Sequence, residues 1–302
     1  MITYGFSGHE TFTLRHGWLK KGLDGVLHQA NFFSGDDAMV KLGVGKNMVR
    51  SIRHWCLATG VIDVAPHGGP GVLVTTDFGE RVFSSDGGLD PFLEDFGTLW
   101  LLHWHLATNA IHSATWYWMF SHCNHSEVTK ESVFSDIQPW MERGGKRAVS
   151  DNTLLRDIDC FFRTYAGVRS PRSNLSEDLL DCPFVELSLL KDLDGGRTFG
   201  FERESRPTLS NEVFLYCLGE FWLRGDRSDS ISVPKLLSEP GSPARVFRLE
   251  ENALTRRLEF IGEQSKGVFV YDETAGLKQL FKRGDIDLSR WLKRCYRSGV
   301  GR

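Results

Sequence analysis

Residues 36–75 read DDAMVKLGVGKNMVRSIRHWCLATGVIDVAPHGGPGVLVT, and the fold follows from how this run is parsed. Asp36-Asp37 can cap a short helix through Ala38, Met39, Val40 and Leu42. Gly43-Val44-Gly45 breaks it, and a second helix is predicted from about Lys46 to Thr59, stopping at Gly60. Met48, Ile52 and Cys56, with Val49 and Trp55 beside them, form its apolar stripe. Lys46, Arg50 and Arg53 recur on a different face, flanked by Asn47 and His54. Val61–Val64 and Val72–Thr75 then read as a hairpin around Pro66-His67-Gly68-Gly69-Pro70-Gly71. A short helix, a glycine turn, a longer helix with a basic face and a hairpin make a winged helix-turn-helix. Lys41, Lys46, Asn47, Arg50, Arg53, His54 and His67 are its expected DNA contacts. A merely solvated basic face, or a protein-binding module, remains open from the residues alone.

Working outward, the chain of 302 residues is 41% hydrophobic and 25% charged, which excludes bulk disorder. Its net charge of −3 excludes a general polycation, so any nucleic-acid site must be local. Residues 38–62 carry Lys41, Lys46, Arg50 and Arg53 and no acid. Residues 84–142 are acidic, with Lys130 the one base among Asp86, Asp90, Glu94, Asp95, Glu127, Glu131, Asp136 and Glu142. The C-terminal stretch turns basic again through Lys278, Lys282, Arg283, Arg290, Lys293, Arg294 and Arg297. The expected architecture is mainly α with small β-hairpins: winged helix-turn-helix units plus a helical domain. Domains are expected at 1–84, 85–201 and 202–302. The middle one is rich in Trp and His and includes a possible second winged helix, and the last has a basic end. Linkers are read at 84–88, 169–173 and 225–232.

The six cysteines form no C-x-x-C pair and are scattered, as expected of reduced thiols in a cytoplasmic protein. No signal peptide is read at Met1–Gly5, and Thr98–Phe120 reads as buried core, not a membrane span. P-loop, dinucleotide, G-x-S-x-G and H-E-x-x-H signatures are missing, which disfavours those enzyme classes.

Ser7-Gly8-His9-Glu10 fits a capping box opening a helix over Thr11–Lys21. Alternatively His9 and Glu10, with Arg15 and His16, form an acid–base or metal cluster. His105, Asn109 and His112 share a helical stripe ahead of His122-Cys123-Asn124-His125, without a recognised metal spacing. A helix over Asn152–Tyr165 is expected after a cap at Ser150 or Asp151. A hairpin turning at Asp194-Gly195-Gly196 should follow, between Val185–Leu190 and Thr198–Phe201. Further on, a helix near Leu249–Ile261, a strand at Val268–Tyr271 and a basic helix near Leu288–Tyr296 are expected.

Several strings together resemble one bacterial family. They are Phe6–Phe12 (FSGHETF), Lys41–Trp55 (KLGVGKNMVRSIRHW), Asp90–Asp95 (DPFLED) and Thr98–His105 (TLWLLHWH), with Asn152–Asp157, Cys182–Leu187 and Asp272–Gly276. The chain is similar over nearly its whole length to a domain-of-unknown-function family associated with DNA phosphorothioation, the SspB-like component. Its genes lie beside cysteine desulfurase and PAPS-reductase-like genes. The resemblance implies a cytoplasmic protein in an antiviral defence system that replaces a phosphate oxygen of DNA with sulfur. It implies a DNA nicking endonuclease using Mg²⁺ or Mn²⁺, for which His9 and Glu10 are the candidate catalytic or metal-binding groups. Implied partners are double-stranded DNA, the cysteine desulfurase, the PAPS-reductase-like sulfurtransferase and an ATPase, with no membrane and with a homodimer as one arrangement. The alternatives are a non-catalytic DNA-binding adaptor, whose partner surface would be the acidic middle with Trp100, Trp104, Trp116 and Trp118, or a transcriptional regulator.

Overall fold

The computed structural model describes residues 4–35, 37–143, 149–167, 182–225 and 228–296. Asp36, the linker read at 169–173, Arg147 and Arg297 lie outside the described residues. The fold is mainly helical with small antiparallel pairings, as the sequence implied. It opens with α1 (Trp18–His28), a 3-10 turn at Phe32–Ser34, α2 (Ala38–Leu42) and α3 (Lys46–Ala58). The strands β1 (Ile62–Val64) and β2 (Leu73–Thr75) pair antiparallel with Asp63 opposite Val74. Gly43 ends α2 in the left-handed conformation at φ 69°, which glycine adopts without a Cβ clash. α3 buries Val49, Ile52, Trp55 and Cys56 against α1 and leaves Lys46, Asn47 and Arg50 exposed. The Leu73 amide bonds Ala30 O at 2.8 Å, which fixes the hairpin to the end of α1.

The middle follows with α4 (Asp77–Phe83), α5 (Phe96–Thr108), α6 (Ala114–Ser121), β3 (Glu127–Val128), α7 (Lys130–Arg143) and α8 (Asp151–Ala166). The expected core stretch Thr98–Phe120 is two helices packed on each other, not one. α5 is apolar on every side, and such a helix must be enclosed. Trp100, Trp104, Trp116 and Trp118 are therefore core, which corrects their reading as a partner surface. α8 is capped by Ser150, whose hydroxyl accepts from Thr153 N, as expected. The following segment differs: Pro183–Leu187 is a 3-10 turn, and the hairpin is short, β4 (Lys191–Asp192) on β5 (Phe199–Gly200).

The last part contains α9 (Asn211–Leu223), β6 (Ser230–Ser232), α10 (Val233–Ser238), α11 (Pro243–Val246), α12 (Glu251–Glu259), α13 (Ile261–Ser265), β7 (Phe269–Thr274), β8 (Leu277–Lys282) and α14 (Leu288–Cys295). The predicted helix over Leu249–Ile261 is thus broken at Phe260. Of the basic groups here, Lys278 pairs with Glu251 at 3.2 Å, and the Arg290 amide is bound by the Asp287 cap. Buried Arg245 and Arg248 close the end of α6, donating to the carbonyls of Ser121 and Met119. One contiguous cluster of buried apolar side chains runs from Leu14 to Cys295. No helix among the described residues is long and apolar enough to cross a membrane.

Candidate functional site

The segment read as a capping box is not a helix start. Residues 7–11 form a tight turn, and α1 begins only at Trp18, after Gly17. Ser7, Glu10 and Thr11 have φ of 64°, 48° and 69°, the left-handed region that non-glycine residues avoid. Such strain persists only where the surroundings over-determine it, and here they do. Asp157 on α8 accepts from Ser7 N at 2.6 Å, from His9 Nε2 at 2.7 Å and from the Thr115 hydroxyl. One and two turns further along α8, Cys160 Sγ bonds Phe12 O at 3.5 Å and Arg163 bonds Thr11 O at 2.6 Å. From α3, Trp55 Nε1 donates to Phe12 O at 3.1 Å. The helix considered for a second winged unit thus directs Asp157, Cys160 and Arg163 at this turn.

His9 is completely buried. Its Nδ1 accepts the Thr11 amide at 3.0 Å while Nε2 faces Asp157, so the neutral Nε2–H ring satisfies both bonds. Burial opposes charge on this ring and the Asp157 carboxylate favours it, and the Thr11 amide decides between them. Protonation would set an N–H at Nδ1 against the Thr11 N–H, so the turn itself holds Nδ1 unprotonated. His9 positions the turn; its neighbour Glu10 is half-buried and faces a cavity.

That cavity, about 440 Å³, lies between the turn, α3 and the α5–α6 connection, with Glu10, Arg50, Arg53, His54 and His112 on its walls. Arg50 Nη1 stands 3.4 Å from Glu10 Oε1, a long pair between an exposed guanidinium and a half-buried carboxylate. His54 is turned inward: only 8% exposed, it packs edge-on to the His9 ring at 5.6 Å. Its buried Nε2 has no hydrogen-bond partner among the described residues. Burial first, with the Arg53 charge assisting, holds its pKa far below the usual range, so it is neutral. Burial also lowers His112, with Asp63 opposing and Arg53 assisting, and it lowers Arg53 itself. Glu10 is the one carboxylate on a wall otherwise basic or neutral. Gly8 admits no side chain, because a Cβ would stand 2.4 Å from His54 Nδ1.

The sequence-based set is therefore divided. Lys46, Asn47, Arg50 and His67 are exposed, and Arg53 is half-buried. Lys41 is exposed on α2 and paired with Asp37 at 2.6 Å. Arg15 and His16 are not among the cavity walls; Arg15 lies over the Trp18 ring. His105 stacks on Phe78, Asn109 caps the α3 carbonyls of Leu57 and Ala58, and His125 pairs with Asp136 at 3.0 Å. Asp157, Thr115 and His112 were missed as parts of this site. A lone Asp inside an amphipathic helix stripe was the available signal for the first.

Among the described residues, no group of three or more His, Cys, Asp or Glu is placed to hold a metal ion. Mg²⁺ demands oxygen ligands, and this cavity supplies a single carboxylate, already beside Arg50. The walls of this cavity do not fit a protein-held divalent metal.

The chain that folds this way matches one family model over residues 6–296 and belongs to that family, the proteins of unknown function DUF4007. Two solved structures are similar to it. One is a magnesium ion-bound SspB crystal structure, with 31% identity and a TM-score of 0.86, covering 99% of this chain and 89% of that one. The other is an SspB crystal structure, with 30% identity, the same TM-score and the same coverage. No curated protein matches the chain.

Proposed function

We propose that the chain is a DNA-binding component of a bacterial DNA phosphorothioate modification and defence system, acting in the cytoplasm. The likeness to SspB supports the system. The DNA-binding part rests on one observation: α3 exposes Lys46, Asn47 and Arg50 with no acid in its sequence. We read α2, α3 and the hairpin as a winged helix, with residues 1–84 as the binding domain and 85–201 and 202–302 as the further domains. α3 would lie against duplex DNA, and His67 would bring the hairpin loop to a neighbouring phosphate. Gly45 gives the start of α3 no side-chain cap, so its amides and dipole favour an incoming phosphate.

The finer reading is a nicking endonuclease. Arg50 and Arg53 would seat a phosphodiester over the cavity, releasing Glu10 to position the attacking water. His9 would act through Asp157 as the positioning residue. Purified protein with supercoiled plasmid tests this: conversion to open circle, lost in Glu10→Gln but with DNA binding retained, supports it. A second reading is favoured by the single carboxylate in the cavity. In it, the chain is a non-catalytic adaptor that brings the cysteine desulfurase, sulfurtransferase and ATPase to DNA. Bound but intact plasmid under all metal conditions selects the adaptor.

A further inference from the structure

A second cavity, of about 410 Å³, opens between the start of α9 and the end of α12, away from any residue used above. Ser210, Asn211, Arg256, Arg257 and Phe260 are on its walls. Arg257 is locked in place: it donates to Asn211 Oδ1 at 2.7 Å and to the carbonyls of Ser205 and Arg206 at 3.2 Å. All three acceptors are neutral, so its charge is hydrogen-bonded but not balanced by an anion there. Burial, and then the neighbouring Arg256 charge, lower its pKa to about 10. Arg256 has one carboxylate near, Glu250 at 3.4 Å, in a largely exposed pair of small worth. Among the described residues, no carboxylate is on the cavity walls. Two adjacent guanidiniums on such a wall gain most from an anion that can take both. Phe260 adds a flat apolar ring that is 57% exposed at the break between α12 and α13. The volume lies in the range of small-molecule sites, about 300–1,000 Å³.

We propose that this cavity binds a nucleoside phosphate, the phosphate on Arg256 and Arg257 and the base against Phe260. Guanidinium–phosphate pairing supplies charge recognition, and stacking on Phe260 tolerates any base because every base has a π face. The site stands independently of α3 and of the reading given to it.

The test is calorimetric titration of the full chain with AMP, ATP, adenosine and inorganic phosphate, alongside Arg256→Gln and Phe260→Ala. Both substituted side chains are largely exposed, so melting temperatures should stay at the wild-type value. AMP and ATP should bind at or below about 1 mM, and adenosine about tenfold more weakly. Each variant should weaken AMP by about tenfold. A short 5′-phosphorylated oligonucleotide that binds through the same two residues, where the unphosphorylated one does not, identifies a nucleic-acid end as the source of the same phosphate and base. The proposal is overturned if no phosphate-bearing probe binds at about 1 mM, or if either variant binds AMP as the wild type does.

Discussion

Truncating Asp157 to Ala should free the turn that carries Glu10. The carboxylate accepts from Ser7 N, His9 Nε2 and the Thr115 hydroxyl, and it is itself 1% exposed. Its loss strands three donors in the core, at about 1–3 kcal/mol each. These costs are not fully additive within one network, so a total of about 3–5 kcal/mol is expected. A large single unit shifts by about 2 °C per kcal/mol, which gives a fall of roughly 6–10 °C in melting temperature. Asp157→Asn retains an acceptor for Ser7 and His9, so it should lose less than half of that. The strain at Ser7, Glu10 and Thr11, about 1–2 kcal/mol per residue, is then free to relax. Hydrogen–deuterium exchange of the peptide covering residues 5–12 should rise in Asp157→Ala and much less in Asp157→Asn. An Ala variant that melts within about 1 °C of wild type, with unchanged exchange at the turn, would refute the clamp.

Acid sensitivity follows from the buried histidines. His103 donates from Nε2 to the Val246 carbonyl and accepts at Nδ1 from the Tyr165 hydroxyl, and burial lowers its pKa to about 3, below its unfolded value of about 6.5. The unfolded chain therefore binds the proton first, so stability is full above about pH 6.5 and falls as pH drops towards 3, by up to about 1.4 kcal/mol per pH unit per histidine. His54, His105 and His112, also lowered, act in the same direction. Chemical denaturation from pH 7.5 to 5 should show the decline, and His103→Gln should flatten it by about one proton. Gly8→Ala should destabilise by about 1–3 kcal/mol and displace the His54 ring, since its Cβ would meet Nδ1 at 2.4 Å. Denaturation together with the His54 imidazole NMR signals checks this, and an unshifted ring would count against the contact.

Local signals carried far where they decided the structure. The α3 expectation of Lys46–Thr59 meets Lys46–Ala58, because stripe, glycine break and Gly60 stop agree with one another. The hairpin and the Ser150 cap were legible for the same reason. Ser7–Glu10 misled because S-x-x-E is a local pattern, while the structure there is set by Asp157, 148 residues from His9. Nothing in the local sequence encodes that bond. The tryptophans of α5 and α6 misled in the other direction: acids around them suggested a surface, yet these helices are apolar on all sides and are enclosed. His54 shows the limit of face assignment, since it flanks the basic stripe but is drawn under the turn by the cavity wall at Gly8.

The central claim is that α3 holds DNA by its exposed basic face. The most direct measurement is fluorescence anisotropy of a labelled duplex titrated with wild type and with Lys46→Ala/Arg50→Ala across a salt series. Both side chains are exposed, so the double variant should melt as wild type does. The claim predicts weaker binding and a slope of log K against log salt shallower by about 1.8, roughly 0.9 for each phosphate that is no longer neutralised. Equal affinity and an equal slope would contradict it and remove α3 from the DNA interface.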